Sequence, residues 1–376
     1  MTARPRRRLN GSGEGATLLR PPALPDRRET IFDILQAITP YISGLYTLPW
    51  IAVGFIGNLL LSRLFGETRV TAAMKKIGLV LLFVFIPILL FKLFLNIDFR
   101  AQELDFALLA LAFMAFLYLL AYIYARRQAP RFTDSSSERV HFLKTVIVNQ
   151  GRSAAFFGSA ILAIDGLRIP AAIYITLLGI YLFAIVPYLL ARLHGREAAA
   201  CETKNPLPRF LRVFPWYLAA FPIAATVIHA QTGVTTATYE WGVLLDFAAA
   251  LTIPAALYYV GSGIKLADVT PDKLRQLFFG HTGELAKVRM LLVLTMVITP
   301  VVVAVLFGSL WMLGLLPAAW FAVLLLNAVL PITSTNMFLV PYGINRKVTA
   351  LSVTWSTLFS LPLFVVLLYV MSRVFG

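Results

Sequence analysis

Long apolar segments separated by short polar connections run along almost the whole chain, and none of them has the alternation of a strand. Ten segments come close to the ~20 residues that a helix needs to cross a bilayer. Their approximate limits are 42–63, 77–97, 104–125, 142–164, 170–191, 210–230, 242–264, 287–313, 317–340 and 349–373. The pattern predicts an all-α integral membrane protein with ten transmembrane helices. We expect 31–41 to form a separate half-helix or the start of the first span.

Composition indicates the same class. Apolar residues make up 59% of the chain and charged residues 14%, and the mean hydropathy is +0.79. Soluble domains are roughly half apolar and a quarter charged. The sequence therefore indicates a multi-pass protein in the lipid bilayer, and we expect it in the plasma (inner) membrane.

The net charge of +15 lies mainly in the connections between spans. There, Lys and Arg set orientation and contact anionic lipid, which argues against nucleic acid as a partner. The connections after spans 1, 3, 5, 7 and 9 hold most of the bases, so we predict that they are cytoplasmic and that both termini lie outside. Segment 1–30 reads as a disordered basic tail. Its arginines would prefer the cytoplasm, and the side of the tail stays open.

The residue types that bind metals or carry catalysis are scarce. The single cysteine is Cys201, and the four histidines lie far apart. Neither a disulfide nor a metal site with zinc-like spacing is predicted. No Ser-His-Asp arrangement or pair of carboxylates stands at membrane depth. We therefore expect no cofactor and no enzymatic activity.

Proline motifs recur in the two halves of the chain. The pairs are LPWIAV with FPWYLA, FIPILLF with TIPAALY, and AIVPYLL with SLPLFVV. Halves of five spans each must enter the membrane from opposite sides. The sequence thus predicts two inverted five-helix repeats, 31–195 and 209–376, joined by a linker at 196–208; chance similarity is the alternative. Inverted repeats are common in secondary transporters, whose sites lie at the repeat interface.

Spans 4 and 9 take equivalent places in the two repeats, and polar residues interrupt both. In span 4 they are Asn149, Gln150, Gly151, Arg152 and Ser153. A charge deep in the bilayer should face a cavity or a partner, and the guanidinium fork matches a carboxylate. Arg152 is therefore a candidate anion-binding group. Snorkelling to an interface, or a structural pair such as one with Asp246, is the alternative.

In span 9 the sequence AVLPITSTNMFLVPYG interrupts an apolar run. The residues concerned are Pro331, Thr333, Ser334, Thr335 and Asn336. Pro331 breaks the helical hydrogen bonds, and in a bilayer such a break survives only within protein or beside a water-filled cavity. Back-bonding to the helix explains one or two of the polar residues, but not four in a row. We expect these residues to line a binding site together with those of span 4.

Other polar residues within spans are weaker candidates. Asp246 in span 7 is a candidate carrier of a proton or an ion. It lies about one turn from the start of the span, however, where a hydrated interfacial Asp is equally expected. Contacts between helices account for Asn327, Thr354, Ser356 and Thr357. The tyrosines and tryptophans are mostly assigned to interfacial anchors and packing.

Several segments, in this order, resemble the auxin efflux carrier family. They are KKIGLVLLFVFIPILLFKLF, LLDFAAALTIPAALYYVGSGIKL and PITSTNMFLVPYGINRKVTALSVTWSTLFSLPLFVVLLYV. The similarity covers about residues 31–376. It implies two inverted five-helix repeats in which broken helices 4 and 9 cross, as in the bile acid symporter layout. It also implies a scaffold domain of spans 1, 2, 6 and 7, a transport domain of the other spans, and transport of organic anions such as auxin, malate or malonate.

Carried over by residue, the resemblance assigns Pro331 to the crossover proline of helix 9 and Asn149 to the asparagine before the proline of helix 4. The departures are Arg152 at the helix-4 proline, Asn336 at a second proline of helix 9, and GSA at 158–160. The resemblance therefore implies a bend at Gly151 in place of a proline, and a substrate that can differ from those of the family.

The leading hypothesis is a secondary transporter or efflux carrier of a small organic anion, with alternating access at the crossing of helices 4 and 9. A membrane sensor or partner-binding subunit on the same fold is one alternative, and Arg152 in place of a proline favours it. A sodium-coupled organic anion symporter is another. Substrate identity, coupling ion, direction of transport and oligomeric state, a homodimer included, stay open.

Overall fold

The computed structural model describes residues 31–39, 49–97, 101–132, 135–153, 161–162, 164–195, 209–264, 269–280 and 283–375. These residues are helical almost throughout, and no strand occurs among them. The predicted tail at 1–30, the linker at 196–208 and the GSA sequence at 158–160 lie outside the described residues.

We number the α-helices in chain order and join the parts of a helix that continue through a π-helical turn. They are α1 (Ile31–Ile38), α2 (Trp50–Phe65), α3 (Glu67–Leu95), α4 (Ala101–Arg131), α5 (Ser136–Val148), α6 (Asp165–Gly195), α7 (Arg209–Thr232), α8 (Trp241–Ser262), α9 (Pro271–Phe279), α10 (Gly283–Met312), α11 (Ala318–Val329) and α12 (Arg346–Phe375), with a short 3₁₀ segment included at the end of α4 and at the start of α6. A 3₁₀-helix, Ser334–Tyr342, lies between α11 and α12.

Within the described residues, 6 helices are long and apolar enough to cross a membrane. They are α3, α4, α6, α8, α10 and α12, and they correspond to predicted spans 2, 3, 5, 7, 8 and 10. Helices α2 and α11, at predicted spans 1 and 9, are apolar but shorter. The structure confirms that the described residues are helical without strands, and their six long apolar helices fit a membrane protein, while the count of ten spans stays a prediction.

Three of the long helices widen into a π-helical turn just before a proline. The turns are Leu81–Phe85 before Pro87, Tyr181–Ile185 before Pro187, and Val293–Ile298 before Pro300. Proline has no N–H to donate, and its ring clashes with the carbonyl four residues earlier. The wider turn relieves that clash without ending the helix. Pro254 and Pro362, by contrast, lie inside plain α-helix, so prolines paired in the sequence differ in local backbone.

Helices α2, α3, α7 and α8 pack together as one group. Helix α8 lies against α2 and α3, and α7 lies against the second part of α3. Glycines allow the closest approach: a Cβ on Gly54 would lie 2.1 Å from the carbonyl oxygen of Tyr258, and one on Gly261 would lie 2.0 Å from that of Ile51. Any larger residue at either position would push α2 and α8 apart.

The other long helices lie around α5 and α11, the two helices that end inside the protein. Helix α10 contacts α11 and α12, and α4 contacts α5 and α6. Buried apolar side chains from both groups form one core cluster that includes Leu90, Phe113, Leu182 and Leu257. Burial of such side chains against each other, rather than against lipid, holds the groups in contact.

Helices α5 and α11 both end within apolar sequence. Helix α5 ends at Val148, and the chain is non-helical from 151 to 153; α11 ends at Val329, and the chain is non-helical as far as Thr333. Pro331 accounts for the second interruption because it cannot donate to a helix. At the first, a Cβ on Gly151 would lie only 3.0 Å from Asn336 Oδ1, so a glycine lets the two segments approach.

Candidate functional site

The two interrupted segments lie side by side and share backbone hydrogen bonds. Ser153 N donates to the Pro331 carbonyl at 3.0 Å, and Thr333 N donates to the Gly151 carbonyl at 3.0 Å. Arg152 and Ile332 thereby form an isolated antiparallel bridge. Pro331 contributes only its carbonyl to this pattern, so its missing N–H interrupts neither of the two bonds. Each segment supplies groups that the other lost when its helix ended.

Helix α12 supplies two hydroxyls that satisfy the interrupted segments from one side. Ser356 Oγ accepts from Ile332 N at 3.0 Å, and Thr349 Oγ1 accepts from Asn149 Nδ2 at 3.1 Å. The two residues lie about two turns apart and share a helix face. The contact between helices expected of Ser356 is thus a bond to the backbone of the second interruption.

Arg152 is buried, with 1% of its surface exposed. Its Nη2 donates to the Thr295 carbonyl at 2.9 Å, and its Nη1 donates to the Leu330 carbonyl at 3.3 Å. In the π-helical turn Thr299 N bonds Leu294 O, and the next donor in that register would be Pro300, which has none. The guanidinium therefore satisfies a carbonyl that Pro300 leaves free. It also places positive charge at the C-terminal end of α11, where the helix dipole favours it.

The charge of Arg152 has no acidic partner in the described part of the chain. Asp246, one of the suggested partners, lies 3.1 Å from Lys92 Nζ. The buried phenols of Tyr174 and Tyr118 lie near Arg152, but a neutral phenol supplies no countercharge, and Arg152 Nε has no hydrogen-bond partner among the described residues. Two carbonyl contacts thus hold a buried cation whose countercharge is not among these residues.

A cavity of about 100 Å³ borders this cation. Five predicted site residues line it: Arg152, Ser153, Thr333, Ser334 and Thr335. Its other walls are mainly apolar and come from α3, α6, α7 and α8, with Thr252 and Tyr259 as polar members. Thr252 already donates to the Phe85 carbonyl at 3.1 Å. We name this space, between the two groups of helices, the inner cavity.

The three predicted amide residues do not line the inner cavity. Asn149 and Gln150 each donate to a threonine hydroxyl, Gln150 Nε2 to Thr299 Oγ1 at 3.1 Å. The amide oxygens Asn149 Oδ1 and Gln150 Oε1, and both amide atoms of Asn336, lack hydrogen-bond partners within the described residues. All three side chains are buried. The predicted site residues thus form two sets. One set, with Arg152, lines the inner cavity, and the other set, the three amides, is buried outside that lining.

Asp246 lies apart from both sets, because its ion pair with Lys92 stands near the ends of α3 and α8. About a third of each side chain is exposed. Its assignment as a carrier of a proton or an ion stays a prediction.

Sequence reasoning missed the tyrosines of the site. Tyr118 and Tyr174 are buried near Arg152, and Tyr259 lines the inner cavity. Tyrosine in a membrane helix more often marks the interface with water, so residue type alone gave no signal. The depth of a tyrosine within its predicted span could have served as a signal. Tyr118 stands in the middle of its span, away from either interface, whereas Tyr174 follows Pro170 closely and gives no such indication.

Comparison with known proteins adds no relative: no protein-family model matches this sequence, and no curated protein matches it either.

Proposed function

We propose that this protein is a secondary transporter, or efflux carrier, of a small organic anion that binds at Arg152. The observation that carries the proposal is a buried guanidinium that lines the inner cavity and has no carboxylate partner among the described residues. A charge at membrane depth costs about 3 kcal/mol or more. A carboxylate bound in the cavity would supply the countercharge and bond Nε, which the fold leaves without a partner in the part described.

The proposal includes ten spans arranged as two inverted five-helix repeats, with α5 in helix 4 and α11 in helix 9. The antiparallel contact between 151–153 and 331–333 supports it, because helices that enter from opposite faces and end near the midplane meet end to end. Alternating access would come from elevator-like or rocking motion of these crossing helices against α2, α3, α7 and α8. In this proposal the protein lies in the plasma membrane, with its basic connections on the cytoplasmic side.

The walls of the inner cavity favour a monocarboxylate with an apolar body. Among the described residues that line it, Arg152 is the one cation, and most of the other side chains are aliphatic. A dicarboxylate such as malate would bury a second negative charge without a partner, which costs several kcal/mol. An auxin-like acid, with one carboxylate and an apolar ring, would bury that ring against α3, α6 and α8.

Flux into proteoliposomes tests the proposal. We expect uptake of a labelled indole carboxylate to exceed that of malate, and Arg152→Gln to lower it about 10- to 100-fold, since a hydrogen bond to a charged group contributes about 1.5–3 kcal/mol. Arg275→Gln is the matched control, because Arg275 is exposed on α9. The proposal is wrong if Arg152→Gln carries every anion tried as fast as the parent protein.

A sodium-coupled symporter is the second candidate, and the buried amides favour it. Three amide oxygens, Asn149 Oδ1, Gln150 Oε1 and Asn336 Oδ1, have no hydrogen-bond partner within the described residues. A buried polar atom without a partner costs about 1–3 kcal/mol, and neutral oxygens are ligands that hard cations accept. These oxygens adjoin the interruption in α5, directly behind the anion-binding wall.

Flux with and without a sodium gradient separates the two candidates. If sodium couples transport, replacing external sodium with choline at equal ionic strength should abolish uphill uptake, and Asn336→Ala should weaken the sodium dependence. Equal uphill uptake in both media would exclude sodium coupling and leave anion transport by itself.

A further inference from the structure

A second, larger cavity lies beside the inner cavity on the side of the basic connections. Its volume is about 480 Å³. Residues from α2, α3, α8 and α12 line it, and those next to the polar connections include Glu67, Lys75 and Arg346. We name this space the outer vestibule. Its walls are far more polar than those of the inner cavity, and they include Asn58, Ser62, Thr71, Ser262 and Thr354.

Tyr259 and Ser334 line both spaces in the described structure. The change from one space to the other takes about one to two helical turns on each neighbouring helix. On α8, Ala256 faces the inner cavity and Ser262 faces the vestibule; on α3, Gly78 faces the inner cavity and Lys75 the vestibule. The two side chains therefore stand at the boundary between a mostly apolar compartment and a more polar one.

The ring of Tyr259 rests directly on the backbone of Gly78. A Cβ at position 78 would lie 2.7 Å from the ring carbon Cζ and 2.8 Å from the phenol oxygen. Only a glycine leaves room for the ring in this position. The ring thus reaches from α8 across to α3, over the space between the two compartments.

We propose that Tyr259, seated against Gly78 at the boundary that Ser334 also lines, is the gate between the anion site and the vestibule on the basic side. When the ring leaves Gly78, the inner cavity and the outer vestibule join into one route to Arg152. Lys75 and Arg346 then attract an anion at the entrance of that route, with Glu67 as the one acidic residue among the vestibule walls that are described. The inference rests on the proposed function only for the identity of the anion.

Thiol labelling measures the gate without any need for transport. Cys201→Ser removes the single cysteine, and Ser153→Cys then places a reporter in the inner cavity. A negatively charged, membrane-impermeant methanethiosulfonate is added to vesicles on the side of the basic connections. Rapid labelling of Asn58→Cys, which lies in the vestibule, identifies the vesicles in which this side faces the reagent. We expect slow labelling at 153 in the parent, at least tenfold faster labelling with Tyr259→Ala, and no change with Tyr259→Phe, which keeps the ring.

Gly78→Ala provides a second route to the same answer. Its methyl group displaces the ring while Tyr259 stays in place, and labelling at 153 should again rise. Elution of each variant in detergent as a single symmetrical peak at the volume of the parent protein shows that it is folded; where Tyr259→Ala fails this check, Gly78→Ala decides. The gate proposal is wrong if the folded variants label at position 153 no faster than the parent. It is also wrong if, in the parent, position 153 labels as fast as position 58. Neither result bears on whether the protein transports an anion bound at Arg152. Conversely, absence of anion flux would not change what the labelling rates say about the gate.

Discussion

Ser356 offers the sharpest test of how the interrupted helix is held in the membrane. Ser356 Oγ accepts from Ile332 N at 3.0 Å, and both residues are buried. In Ser356→Ala this N–H loses its acceptor in a place that water does not reach. A buried donor without a partner costs about 1–3 kcal/mol. The segment 330–333 should therefore open about 5- to 140-fold more often, at tenfold for each 1.4 kcal/mol.

Hydrogen exchange measured by mass spectrometry on peptides that contain Ile332 reports this opening directly. Ser372→Ala is a matched control on the same helix. Both serines donate to the carbonyl three residues earlier, Ser356 at 3.1 Å and Ser372 at 2.8 Å, but only Ser356 is shown bonding Ile332. We expect faster exchange in Ser356→Ala and parent-like exchange in Ser372→Ala. Equal protection of Ile332 in both variants would refute the reasoning.

Three further predictions concern packing and coupling. Gly261→Ala should lower the melting temperature by several degrees, because its Cβ would lie 2.0 Å from a carbonyl oxygen of α2. In the control Gly263→Ala the added Cβ meets nothing closer than 3.3 Å, and the melting temperature should stay near that of the parent. Equal melting temperatures in the two variants would contradict the close approach of α2 and α8. Gly151→Ala should also melt earlier, and pairing it with Asn336→Ala, which removes the atom 3.0 Å away, should restore part of the loss; an additive double mutant would show that the two side chains do not meet. If Asp246 carries a coupled proton, Asp246→Asn should abolish uptake driven by a pH gradient while anion exchange persists, and a parent-like response to the gradient would exclude that role.

The sequence predicts helices and interruptions because both depend on local chemistry. Apolar runs of sufficient length become α3, α4 and α8, since lipid forces the backbone to bond within its own segment. Pro331 predicts a break in the helix, because a residue without an N–H cannot donate a helical hydrogen bond in any sequence context. These features need no knowledge of the rest of the chain.

The direction in which each polar residue faces could not be predicted in this way. Helical periodicity assigns faces only while the helix lasts, and it fails across 151–153 and across the 3₁₀-helix, where side chains repeat about every third residue. Asn336 therefore turns away from the cavity that Ser334 and Thr335 line. The acceptor for Asn149 is a threonine 200 residues away in the chain, which no local pattern indicates.

The buried charge of Arg152 has a consequence for the response to membrane voltage. If the protein is the anion carrier proposed above, its site is neutral with a monovalent anion bound, and the electric field does no work on that site as the carrier changes its facing. The unloaded carrier would bear one positive charge, and moving that charge across the full potential takes about 2.3 kcal/mol per 100 mV. Exchange of anion for anion, which never uses the unloaded carrier, should then be insensitive to voltage, whereas net flux should depend on it. The sign of that dependence would report which way the bare guanidinium travels.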